Sequence, residues 1–130
     1  MLLPITGLYA GALALLLIPL TLRVVKNRYR AKVSIMDGGD EALALAIRVH
    51  GNFVEYVPLA LILLAIIEIN GGQPWRLHMI GAVLVIGRLL HAYGLSRGTA
   101  GLPVRRYGMI ATMAVFVGAG GSALAQVLMP

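Results

Sequence analysis

The chain has 130 residues, 59% of them hydrophobic and 12% charged, and its mean hydropathy is +0.87. Soluble domains carry about 25% charged residues, so the composition excludes an ordinary water-soluble globule and fits one membrane domain with four spans of about 20 residues and short loops. The formal charge is +6 and there is no cysteine. Disulfides, thiolate metal sites and a protein thiol nucleophile are therefore excluded, while the basic excess reads as a topology signal and an attraction to anionic headgroups.

The first span is expected over residues 3–25, a retained helix without the basic n-region of a signal peptide. Pro4 suits its first turn and Pro19 should bend it late. Gly7 and Gly11 are spaced to let another helix approach closely. Arg23, Lys26, Arg28, Arg30 and Lys32 follow, and Asp37-Gly38-Gly39-Asp40 closes the stretch with turn chemistry. Asp40 is placed to cap the next helix, with Glu41 near its positive end.

The second span covers residues 41–69, with polar groups in its first half and unbroken hydrocarbon over 57–67. Pro58 should loosen it near Val54. Asn70-Gly71-Gly72-Gln73-Pro74 makes a turn, and Trp75 suits a membrane interface. The third span covers 76–96 and the fourth 107–128, where Gly118, Gly120, Gly121 and Ser122 offer a small-residue face. Loops one and three hold most of the basic residues, whereas loop two holds only Arg76. The positive-inside rule then puts loops one and three in the cytoplasm and both termini outside.

Charges inside these spans cost about 2.5–3.5 kcal/mol each on the lenient insertion scale, and by default they mark function. Arg48, Asn52 and Glu55 fall within an arc of about 60° on one helix face. Asp40, Glu41 and Tyr56 flank that stripe. Arg88 and His91 share a face of the third span. With 1.5 Å of rise per residue, Arg48 and Arg88 lie about 10 and 13 Å from the same membrane side, and Arg105 and Arg106 close that end. A pocket in the cytoplasmic half of the bundle is expected. The bland alternative is an ion-pair network of Arg48, Glu55 and Arg88 between helices.

Such a pocket offers guanidinium forks for carboxylates, a carboxylate for an ammonium and an amide for a peptide group. A short zwitterionic peptide with two carboxylates fits, and glutathione would also bring the thiol that the chain lacks. His50 is turned about 200° from Arg48 and reads as packing or lipid-proximal. His78 reads as solvated at the outer interface and Glu68 as a rim charge. Tyr93 is either an interface aromatic or a pocket donor. No ligand spacing suggests a metal and no glycine-rich loop suggests a nucleotide.

The run Arg48-Val49-His50-Gly51-Asn52-Phe53-Val54-Glu55-Tyr56-Val57-Pro58 resembles the helix-two signature of the MAPEG family, the membrane-associated proteins of eicosanoid and glutathione metabolism. Arg88-Leu89-Leu90-His91 is similar to the family's helix-three motif, and Leu102-Pro103-Val104-Arg105 to the segment opening helix four in prostaglandin E synthases. The compact loops look most like the small bacterial members. The resemblance implies an all-α, four-helix protomer in a homotrimer, with glutathione as co-substrate between protomers. Carried over, Arg48, Asn52, Glu55, Tyr56, Arg88 and His91 bind glutathione, with Arg106 beside them. Arg105 matches the arginine that stabilises the thiolate. The resemblance also implies a basic residue from late in span one, for which Arg28 and Arg30 are the two candidates. Leu95 departs from the tyrosine of leukotriene C synthases, which leaves the electrophile open.

The function expected is a glutathione-dependent transferase or peroxidase of the bacterial inner membrane that acts on lipophilic electrophiles or lipid hydroperoxides, with its site toward the cytoplasm. A non-catalytic lipid-binding scaffold of the same fold is the main alternative. A small transporter would need a polar stripe through 57–67, and there is none.

Overall fold

The computed structural model describes residues 2–129, apart from the side chain of Thr99. Four long helices run in sequence: α1 (Pro4–Ala31), α2 (Glu41–Ile69), α3 (Pro74–Ser96) and α4 (Leu102–Leu128). All four are long and apolar enough to cross a membrane. The result is an all-α four-helix membrane bundle.

Helix α1 extends to Ala31, so Arg23, Lys26, Arg28 and Arg30 ride on helix rather than loop. Basic side chains near a helix C-terminus meet the negative end of its dipole, which favours continuation. Lys32 ends the helix in left-handed backbone, φ 55°. Asp40 caps α2 as expected, its carboxylate accepting from Leu43 N–H at 2.8 Å. That bond comes first and Arg30 second in holding the carboxyl below the usual Asp range. Helix α4 begins at Leu102, just after a short 3₁₀ turn, Gly98–Gly101. Arg105 and Arg106 therefore sit in its first turns. Helices α1 and α2 remain helical through Pro19 and Pro58.

Lipid is as apolar as leucine, so helices in a bilayer associate through close packing and polar bonds. The closest packing is between α3 and α4. There a Cβ on Gly94 would collide with the Arg105 backbone, and one on Gly108 would collide with the His91 backbone. Gly87 and Gly101 complete the seam. Gly7, Gly11, Gly118, Gly120 and Gly121, also expected to admit another helix, meet none within the protomer: among the described residues nothing lies within 4 Å of where a Cβ would stand. They lie on faces that the protomer leaves open.

The core gathers Leu13 of α1, Phe53, Ala60 and Leu64 of α2, Leu77 and Leu84 of α3, and Val115 and Ala119 of α4. Glu68, expected as a rim charge, instead closes one end of the bundle. Its carboxylate accepts Ile5 N–H at 2.8 Å and Thr6 N–H at 2.7 Å. These are donors that an α-helix leaves unpaired at its start. His78 is exposed, as expected, and the Tyr9 hydroxyl lies 3.1 Å from its Nδ1 and donates to its carbonyl at 2.9 Å.

Candidate functional site

At the opposite end of the bundle, α2, α3 and α4 surround a hollow of about 380 Å³. It is lined by Arg48, Asn52, His91, Leu95, Arg105, Arg106 and Met109. Among the described residues, no carboxylate lines it. Three guanidinium groups thus converge with an amide and an imidazole on a single concavity beside apolar walls.

Local sequence explains each placement. Helix α2 buries Val49, Phe53, Val57 and Ala60, and Asn52 lies at the edge of that arc. Arg48 and Glu55 stand further round, with side chains 66% and 51% exposed. The stripe is therefore split. Asn52 is buried, whereas Arg48 and Glu55 lie at the exposed edge of the protomer, where Arg48 still borders the hollow and Glu55 does not, contrary to the expectation that all three turn inward. They form an ion pair of 3.6 Å along their own helix. Glu55 and Tyr56 are not among the residues lining the hollow.

Arg88 is almost completely enclosed, at 1% exposure. Its Nη1 donates to Asn52 Oδ1 at 2.8 Å, and the guanidinium carbon lies 5.5 Å from the Tyr56 ring centroid. Tyr56 in turn meets Phe116 edge-on. Arg88 Nε and Nη2 are buried and have no partner among the described residues. The inter-helix ion-pair network of Arg48, Glu55 and Arg88 does not form, because the only acid of the three stays on the outer edge of α2. Arg88 instead backs the hollow and fixes the Asn52 amide from behind. The depth match between α2 and α3 is realised in that bond.

His91 is buried on α3, directly against the Gly108 backbone. Contact between Gly94 and the Arg105 backbone sets the start of α4, and with it the directions of Arg105 and Arg106. Leu95 supplies an apolar wall. Met109 lines the hollow too; sequence reasoning passed it over, although it lies one turn beyond Arg105 and Arg106. Arg23 of α1 donates to the Ser96 hydroxyl, tying α1 to the end of α3. The span-one candidates lie elsewhere: Arg28 binds the Ser34 and Met36 carbonyls, and Arg30 pairs with Asp40 at 2.5 Å. Tyr93 is exposed beneath the Arg97 guanidinium, away from the hollow.

A hollow of this kind, cationic and half apolar at the end of a four-helix membrane bundle, defines the class: a multi-pass membrane protein with a pocket lined by guanidinium groups. Residues 6–125 match the MAPEG family, and the chain belongs to it. Two relatives are both described as inner membrane protein YecN, one from Escherichia coli strain K12 and one from Escherichia coli O6:H1. Each is 44% identical over 108 residues, covering 83% of this chain and 81% of the relative. No solved structure matches.

Proposed function

We propose that the hollow binds glutathione and activates its thiol for transfer to a lipophilic acceptor. The observation that carries this reading is the meeting of Arg48, Arg105 and Arg106 with Asn52 and His91 around one cavity that no acid lines among the described residues. Guanidinium forks match carboxylates through paired hydrogen bonds, and glutathione has two carboxylates. The Asn52 amide, pinned by Arg88, suits a peptide bond. Glu55, beside Arg48, suits the tripeptide ammonium. Membership of the MAPEG family supports the same chemistry.

Arg105 sits at the mouth, where positive charge lowers the pKa of a nearby thiol and stabilises the developing thiolate. The released proton goes to water at the membrane edge. In conjugation the thiolate attacks an electrophilic carbon, a C–S bond forms and the leaving group departs with its electron pair. In peroxide reduction the thiolate attacks the hydroperoxide and the O–O bond breaks to give an alcohol and a sulfenate; a second glutathione, with the proton returned from water, converts the sulfenate to glutathione disulfide and water. The acceptor partitions from the bilayer, so catalysis gains from holding two poorly miscible reactants at one surface.

We also propose that the working unit is a homotrimer. Arg48 and Glu55 are charged, lie within a membrane span and are exposed in the protomer. Exposing charge to hydrocarbon is costly, and a neighbouring copy that covers this edge would remove the cost and complete the site. By the loop charges, the hollow opens to the cytoplasm of a bacterial inner membrane. That location accords with the description of the Escherichia coli relatives.

The test is titration of purified protein with glutathione, following thiolate ultraviolet absorbance and turnover of an aryl halide. Arg105→Ala should lower turnover by about 10²–10³-fold while glutathione still binds. Arg48→Ala should abolish binding. Glutathione binding with no thiolate band, and with turnover indifferent to Arg105→Ala and Arg106→Ala, would point to a non-catalytic lipid-binding member of the family.

A further inference from the structure

A second concavity lies at the end of the bundle opposite the hollow. Helices α3 and α4 meet backbone to backbone at Gly94, Gly108 and Gly87, where an added Cβ would press on the opposite helix. Beyond those glycines, toward the turn between α2 and α3, the two helices part and leave a groove of about 510 Å³. Gly118, Gly121, Ser122 and Ala125 form its α4 side, and Ile67 and Ile80 its apolar back. From Gly118 to Met129, which also lines it, α4 rises about 16 Å. That is roughly half of the hydrocarbon core of about 30 Å.

The mouth of the groove is polar. Arg76 lies on one side, near the start of α3, and Gln126 on the other, near the end of α4. The Arg76 guanidinium carbon stands 5.3 Å from the centroid of the Trp75 ring, an aromatic suited to the interface. Among the described residues Arg76 pairs with no acid. Gln126 Nε2 donates to the Ile67 carbonyl at 3.2 Å and to the Asn70 carbonyl at 3.3 Å, drawing the ends of α2 and α4 together. Those bonds fix which way the amide lies and leave its Oε1 buried, with no donor among the described residues.

Three helix ends of unlike sign therefore converge at this mouth. The start of α3 is the positive end of its dipole, whereas the ends of α2 and α4 are negative. Neither α2 nor α4 has a basic residue in its last turn. An anion is favoured on the Arg76 side, and a cation that can donate hydrogen bonds is favoured on the other.

We propose that this groove binds a zwitterionic phospholipid with a primary ammonium, drawn from the leaflet opposite the hollow. Its phosphate lies beside Arg76. Its ammonium lies toward the ends of α2 and α4, where carbonyl groups and Gln126 Oε1 lack donors. One acyl chain follows the Gly118–Ala125 face to the middle of the bilayer. A quaternary ammonium has no N–H to donate, and an anionic headgroup brings no cation to the two negative helix ends. A spanning helix of a second copy would need a face about 30 Å long, and the α3–α4 seam closes this one halfway.

The site is separate from the glutathione hollow, and so is its test. Protein in neutral detergent is titrated with phosphatidylethanolamine, phosphatidylcholine or phosphatidylglycerol. Bound lipid is counted by native mass spectrometry, and the thermal midpoint is followed in parallel. Phosphatidylethanolamine should be retained and raise the midpoint, and the other two should be retained less. Arg76→Gln should weaken its binding about ten-fold, the loss of one charge-assisted hydrogen bond. Gly121→Leu should fill the groove and abolish retention; since open space surrounds that position, its lipid-free midpoint should stay close to wild type. If that variant nevertheless misfolds, Arg76→Gln decides. Arg97→Gln, at the other end of α3, should leave binding unchanged. Retention of phosphatidylcholine or phosphatidylglycerol equal to that of phosphatidylethanolamine would overturn the proposal, as would unchanged binding in Arg76→Gln. So would the same midpoint shift with glycerophosphoethanolamine, which has no acyl chains and would mark a soluble-zwitterion site. A change of oligomeric state in Gly121→Leu with lipid retention intact would identify the face as a contact between copies, and would overturn it too.

Discussion

Arg88 and Asn52, on adjacent helices, are joined by a 2.8 Å hydrogen bond in a place where the guanidinium meets no carboxylate among the described residues. The bond sets the amide that faces the hollow and satisfies part of a charge buried in the bundle. A buried donor that loses its acceptor costs more than a pair replaced together. Asn52→Leu alone should destabilise the protein by about 2–3 kcal/mol. The Asn52→Leu/Arg88→Met double variant should be more stable than the two single costs sum to, with a coupling of about 1 kcal/mol or more. Unfolding in detergent across the double-mutant cycle measures this.

The α3–α4 seam depends on backbone approach at glycine. Gly108→Ala should cost about 1–3 kcal/mol, because the added methyl group meets the His91 backbone and can be relieved only by parting the helices. Gly118→Ala, at a position with open space, should change stability by less than about 0.5 kcal/mol or raise it slightly through helix propensity. Glutathione binding should fall in the first variant and hold in the second, since only the first moves Arg105 and His91 relative to each other.

Glu68 acts as a cap supplied from another helix. Glu68→Ala should cost about 1–2 kcal/mol. Hydrogen exchange at the Ile5 and Thr6 amides should accelerate more than exchange in the middle of α1. Equal acceleration along the whole helix would mean that the carboxylate holds α1 by packing alone.

Asp40 gives a pH dependence of known sign. Its folded pKa lies below the ordinary Asp value, through the Leu43 amide first and Arg30 second. Its stabilisation is therefore present above the unfolded Asp pKa and is lost as pH falls through the lowered folded value. The wild-type advantage over Asp40→Ala in thermal midpoint should be constant near neutrality and shrink below about pH 4. An advantage that persists into strong acid would assign the effect to something other than the carboxylate.

Some of this architecture was readable along the chain because a bilayer enforces it. Long apolar runs must be helices, since no water is present to satisfy their backbone groups. The Asp37–Asp40 turn and its cap follow from local chemistry, and the motif from Arg48 to Pro58 is local enough to resemble its family. Other features were not readable. The extension of α1 through Arg30 depends on a charged stretch that reads equally well as helix or loop. The split of the 48–52–55 stripe turns on a rotation of some tens of degrees about α2, which periodicity does not fix.

By itself, then, the sequence determined the membrane class, the four helices and the polar residues that share a depth, because hydropathy and helical rise act within a single segment. Only the tertiary structure decided which glycines form a seam, that Glu68 caps α1, that Asn52 turns inward while Arg48 and Glu55 stay at the edge, and that Arg88 meets an amide and, among the described residues, no acid. Those outcomes depend on the rotation and close approach of one helix against another. In a bilayer this is fixed by shape and by a few polar bonds between segments far apart in the chain.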